Sequence, residues 1–254
     1  MAGIEAQPMT SIAVRALTAR ADLEEAVQLQ KTIWGFGDAD LLPLRLFVVA
    51  THIGGQVFGA FDGERMAGFC LAIPGLKRGA KGYLHSHMLG VLPEYRNRRI
   101  GRTLKLAQRE EALARSIELI EWTFDPLELK NAYFNIEGLG AVVRRYVLNH
   151  YGMTTSRLHG SLPTDRCYAE WHLGSARVEA AVAGKPIPRP AVQARIEVPS
   201  NIDTLRHDAP AEARRIQAAI SERFQEAFRA GLAVIGFERG ERAGTYLLGE
   251  WHSE

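Results

Sequence analysis

Two histidines and a run of arginines are the residues here whose types and spacing could do chemistry. His85 and His87 flank Ser86, and a period of two puts both on one face of a strand. An imidazole titrates near pH 6.5, so such a pair suits taking a proton from an ammonium group, directly or through water. Two half-buried histidines that satisfy hydrogen bonds inside a sheet would show the same spacing. Just downstream, Pro93 breaks the strand, and Arg96-Asn97-Arg98-Arg99-Ile100-Gly101-Arg102-Thr103 leads into a helical pattern. A helix start leaves backbone N–H groups unpaired and carries the positive end of the dipole, which suits phosphate. The backbone from about Arg98 to Thr103 would surround the anion. Arg96, Arg98, Arg99 or Arg102 would add charge-assisted hydrogen bonds. A short glycine motif alone is weak evidence; the strand before it and the helix after it strengthen this one.

The rest of the chain must position these groups. Its 254 residues can bury a proper core, and 46% hydrophobic with 24% charged residues is ordinary for a globular protein. The net charge of +2 does not mark a nucleic-acid face; the local basic cluster suits a small anionic ligand. Cys70 and Cys167 lie far apart in strand-like surroundings, without metal spacing, and read as reduced, buried thiols of a cytoplasmic protein. No run approaches the roughly 20 apolar residues of a membrane span. Met1–Thr10 lacks the apolar core of a secretory signal. No metal is expected.

Periodicity predicts a strand over residues 11–18, and a helix bearing Leu23, Ala26, Val27, Gln30 and Ile33 that closes at Trp34-Gly35-Phe36-Gly37. A second short helix runs from Pro43 to about His52. A hairpin turns at Asp62-Gly63, a basic loop spans Lys77–Gly82, and the central strand is Tyr83–Val91. The helix over 100–116 is expected to bury Ile100, Leu104, Ala107, Ala114 and Ile117. Then come the strand Leu119–Phe124, stopped by Asp125-Pro126, a helix over 130–139 ending at Gly140, and strands over 146–151 and 166–173. Residues 177–190 have the composition of a linker. Beyond it, 191–254 predicts a strand, an amphipathic helix with Ile216, Ile220, Phe224, Ala227 and Phe228, and a hairpin. That extension is marginal as an independent domain and is expected to dock on the body or on a second subunit, with a homodimer left open.

This order, with Val91-x-Pro93 and the Arg96-x-x-Arg99-x-Gly101 turn, resembles the GNAT acyltransferase superfamily, in particular members with Asn131-Ala132-x-Phe134-Asn135 and a C-terminal extension. The resemblance covers roughly residues 10–175. It implies an α/β (α+β) fold, a mixed, mostly antiparallel sheet flanked by helices, with a catalytic body over 1–176. It implies acetyl-CoA or another acyl-CoA, a succinyl donor included, as co-substrate, and direct attack by the amine of a small molecule such as an amino acid. The pyrophosphate would sit on Arg96, Arg98, Arg99, Ile100, Gly101, Arg102 and Thr103. The pantetheine would pair with Met88, Leu89, Gly90 and Val91, with Gly90 permitting close approach, and Asn131 is a further donor contact. His85 stands where many members carry a glutamate base. Trp122, Phe124 and Asp125 would line the acceptor pocket, although core packing competes for the two aromatics. The chain departs from the family twice. Arg99 replaces a glycine, so the turn is expected to keep to geometry open to arginine. Ile136 stands where many members have the tyrosine that protonates the thiolate, leaving Tyr133, Tyr146, water or unaided departure. These departures favour the rival reading, a non-catalytic acyl-CoA-binding module.

Overall fold

The computed structural model describes residues 12–77, 81–152 and 162–252; Met1–Thr10, Ser11 and the middle of the Lys77–Gly82 loop lie outside them. The strands are β1 Ala13–Ala16, β2 Gln56–Asp62, β3 Arg65–Leu76, β4 Gly82–Val91, β5 Leu119–Phe124, β6 Val142–Val147, β7 Arg166–His172, β8 Ala194–Pro199, β9 Leu232–Arg239 and β10 Ala243–Glu250. The helices are α1 Arg20–Trp34, α2 Leu44–His52, α3 Ile100–Ala114, α4 Leu129–Tyr133, α5 Ala176–Val182, α6 Ile202–Asp208 and α7 Pro210–Arg229. One sheet runs β1-β2-β3-β4-β5-β7-β6-β9-β10-β8, antiparallel except at β4–β5. The mixed, mostly antiparallel α/β architecture is therefore as expected.

Three local expectations differ from the structure, and one helix, α6, is additional. The strand placed over 146–151 is Val142–Val147, since Arg144 and Arg145 sit at an irregularity in β6–β7 pairing and reach Glu170 and Glu121. The stretch with linker composition begins in α5, capped by the Ser175 hydroxyl, and its Arg177 is buried with Nε donating to Gly140 O at 2.9 Å. α6 carried no clear periodic signal. The helix over 130–139 is α4 followed by a π turn, Phe134–Gly138.

Two apolar clusters form the core. One packs α1, α2 and α3 on β2–β4, with Phe47, Met66, Phe69 and Leu104 inside. The other joins β5–β7 to the extension, bringing Trp122, Ile136 and Trp171 together with Phe224, Phe237 and Tyr246. The extension is thus docked: at roughly 25 cal/mol per Å2 of apolar surface, burying Phe224 and Tyr246 alone offsets several kcal/mol of ordering entropy.

Candidate active site

The site begins where two parallel strands separate. β4 and β5 pair only at Leu84–Ile120 and His85–Glu121. Beyond these pairs β4 continues through Ser86–Val91, held by β3 on its other edge. Its edge toward β5 has no strand partner among the described residues, so backbone N–H and C=O groups face a wedge open to strand-like pairing.

His87 is an extra residue in β4. Ser86 lies opposite Ala72 and Met88 opposite Leu71, so the strand bulges between them. The bulge keeps the histidine rings together, centroids 6.0 Å apart, but reverses the alternation past it. Leu89 then faces α3, while Gly90 faces α1, where a Cβ would come within 2.6 Å of Trp34. Gly90 is therefore explained by this approach of Trp34.

On the histidine face, Glu121 lies beside His85, and Tyr168 of β7 pairs with Thr123. The Tyr168 ring is 6.4 Å from that of His85, and its hydroxyl is 3.2 Å from His150 Nε2. Arg145 lies 4.1 Å over the Tyr168 ring and donates to Glu121 at 2.7 Å, and Lys77 also reaches Glu121. Burial, then the positive charges of His87, Lys105, His150 and Arg145, lowers the His85 pKa to about 4. Burial also lowers that of His87. Both imidazoles are therefore neutral acceptors at neutral pH.

Above the wedge, the turn into α3 holds Asn97 at φ 63° and Arg99 at φ 61°. Contrary to expectation, Arg99 adopts the left-handed backbone itself. That conformation costs a non-glycine residue about 1–2 kcal/mol, and the α3 N-terminus has no side-chain cap. Alternating backbone of this kind turns successive N–H groups toward one concavity, which suits an anion. Replacing Arg99 with glycine should raise stability by up to about 1 kcal/mol, the relief of strain exceeding the added freedom of the unfolded chain. A denaturant midpoint that falls instead would show that the Arg99 side chain stabilises the turn.

The arginines divide. Arg102 turns to α5, donating to Ala181 O and Val182 O at 3.1 and 2.9 Å. Arg98 lies over the Tyr95 ring, and Arg96 reaches Ile33 O at 3.4 Å. Arg96, Arg98 and Arg99 are exposed at the turn, and Thr103 Oγ1 donates to Arg99 O.

Several expected residues lie elsewhere. Trp122 and Phe124 project to the α3 side, into the core, away from the histidines. Asp125 is buried, accepting from Leu127 N at 2.8 Å and from Arg206 at 2.8 Å. Asn131 is exposed on α4, and Tyr133 lies under Arg239, 3.6 Å from its ring. Tyr146 hydrogen-bonds Asp165 and Ser221 in the core.

The sequence reading missed Lys105 and Gln108. α3 buries Ile100, Leu104, Lys105, Gln108 and Ala112, while Leu113 and Ala114 are exposed. The signal for Gln108 was the uninterrupted i, i+4 row 100-104-108-112, passed over because one member is polar; Lys105 lies beside that row and gave none.

Residues 23–133 match the model of the acetyltransferase (GNAT) family. That stretch, a little under half of the chain, carries the GNAT family's sequence pattern. Among solved structures, the chain is similar to the ribosomal-protein-S18-alanine N-acetyltransferase from Escherichia coli (17% identity, TM-score 0.51, 65% of this chain and 96% of that one). It is also similar to NAA60 from Arabidopsis thaliana in complex with a bisubstrate analogue (15%, 0.52, 63% and 97%). A third is yncA from Salmonella typhimurium with its cofactor acetyl-CoA (14%, 0.52, 66% and 98%). At these identities the likeness is one of fold. No curated protein matches the sequence at a significant level. No helix among the described residues is long and apolar enough to cross a membrane, and no group of metal-ligating side chains occurs among them.

Proposed function

We propose that this GNAT domain transfers an acetyl or succinyl group from acyl-CoA to the amine of a small molecule such as an amino acid, by direct attack. The observation that carries the reading is the loss of β4–β5 pairing right after His85, directly below a turn suited to phosphate. The turn from Arg96 to Thr103 would hold the pyrophosphate with its N–H groups and the side chains of Arg96, Arg98 and Arg99. Met88–Val91 would pair with the pantetheine along the unpartnered edge. That strand leads to His85 and His87, which would take the amine proton. The charged and aromatic lining of the histidine face, Glu121, Arg145, His150 and Tyr168, suits a polar acceptor bearing its own carboxylate. Residues to about 176 carry the chemistry in this reading, and 191–254 brace the segment after β5.

CoA binds the native state only, so it should stabilise the protein. At a concentration about a hundred times Kd the gain is about 2.7 kcal/mol, or roughly 5–10 °C in Tm for a chain of this size. Gly101→Val should reduce that shift while leaving the unliganded protein folded, because a Cβ at 101 meets only Leu89, at 3.4 Å. A melting temperature unmoved by millimolar CoA would overturn the reading. Thiol release from acetyl- and succinyl-CoA with amino acids, simple amines and peptides would identify the acceptor class.

A further inference from the structure

Lys105 is a buried cation, 2% exposed, placed where the two strands part. Its Nζ donates to Ser86 Oγ at 2.7 Å and lies 3.8 Å over the Trp122 ring. Ser86 and Trp122 are the first residues past the last β4–β5 pair, so the ammonium group closes the foot of the wedge from the α3 side. Ser86 in turn donates to Gln108 Oε1 at 3.0 Å. No ion pair with a carboxylate is seen for Lys105 among the described residues, and an ammonium group buried that way is expensive. A methionine would fill the space more stably, so stability does not explain the charge.

We propose that Lys105 is the general acid of acyl transfer, protonating the thiolate that leaves when the thioester is cleaved. The proposal rests on the acyl-CoA reading above: a pantetheine lying along Met88–Val91 would bring its sulfur to the level of Ser86. The acceptor nitrogen forms its bond to the acyl carbon, the C–S bond breaks with its electron pair going to sulfur, and Lys105 Nζ gives sulfur a proton. The amine nitrogen loses two protons overall; one restores Lys105 through water, and one is released by way of His85 and His87. The role fills the place left by Ile136, which is fully buried. Burial lowers the Lys105 pKa to about 7, an acidity suited to donation near neutral pH. The titratable groups facing it are the Cys70 thiol on β3 and His85 on β4; Ser86, Gln108 and Trp122 contribute no charge.

The test compares the full chain with Lys105→Met, using acetyl-CoA and the best acceptor of the panel. The variant should be at least as heat-stable without ligand and should keep the CoA-induced Tm shift. It should lose about 100-fold or more in kcat, and with it the descending limb of the pH profile above about pH 7. A second donor, the acetyl thioester of a thiol far more acidic than CoA, should narrow the gap between the two proteins, since its thiolate leaves without a proton. Activity within threefold of the parent, or an equal loss with both donors, would overturn the proposal. Should Lys105→Met fail to fold, Lys105→Gln takes its place under the same criteria. A parent protein with no CoA shift and no turnover would overturn the acyl-CoA reading, and this one with it. A parent that is active while the variant matches it would overturn this one alone.

Discussion

Replacing His85 and His87 together with alanine is expected to lower kcat/KM by roughly 100- to 10,000-fold, the usual contribution of a positioned base, while CoA still raises the melting temperature. The rings sit 6.0 Å apart at the foot of the wedge, away from the turn into α3. The pH profile makes the expectation sharper. An unperturbed histidine would set an acidic limb near 6.5; burial, with the neighbouring basic groups His87, Lys105, His150 and Arg145, moves His85 down, so its limb should lie toward pH 4. The sign for stability follows. Between about pH 4 and 6.5 the unfolded chain carries a proton at this position that the folded chain does not, so stability falls as pH drops through that window. His85→Ala should flatten that part of the curve. A double variant with near-normal turnover and an unchanged profile would leave the pair as sheet packing, with the amine proton lost directly to water.

Arg206→Met is expected to cost about 3–5 kcal/mol, the usual effect of removing one partner of a buried ion pair. That corresponds to a drop of roughly 10 °C in Tm. Arg206 comes from α6 in the extension and is buried, donating to Asp125 at 2.8 Å and to Glu128 at 2.7 Å in the loop between β5 and α4. Its loss takes the guanidinium away from the buried Asp125, which still accepts from Leu127 N. Burial already pushes the Glu128 carboxyl up, against the pull of Arg206, so without the guanidinium it would tend to protonate. Tyr246 of β10 holds the same loop, its hydroxyl donating to Pro126 O at 2.6 Å. Adding Asp125→Asn should recover part of the loss, because a buried carboxylate is then replaced by a neutral amide. A single variant less than 1 kcal/mol below the parent in denaturant unfolding would mean that the apolar cluster alone docks the extension.

Much of this was legible in the residues themselves. Period-two alternation located β4, and the apolar runs flanking Asp62-Gly63 located the hairpin of β2 and β3. Pro43, Gly35 and Gly231 marked helix ends. These signals are local, since each depends on which faces of one element meet water. The basic turn into α3 was legible for the same reason, being made by consecutive residues at a helix start. Other features required the tertiary structure. Whether Arg99 would tolerate a left-handed backbone depends on how β4 and α3 fix the two ends of its turn. That His87 is an extra residue in its strand depends on the register with β3, which no reading of β4 alone contains. Trp122 and Phe124 fall on the core side because Glu121, between Ile120 and Trp122, pairs with His85 on the other. Lys105 is the clearest case. Along the sequence it is one more cation on an amphipathic helix, where charge normally means solvent. Only the packing of α3 over β3 and β4 takes that ammonium group out of water and sets it between Ser86 and Trp122, because burial is decided by what the other strands bring to a position.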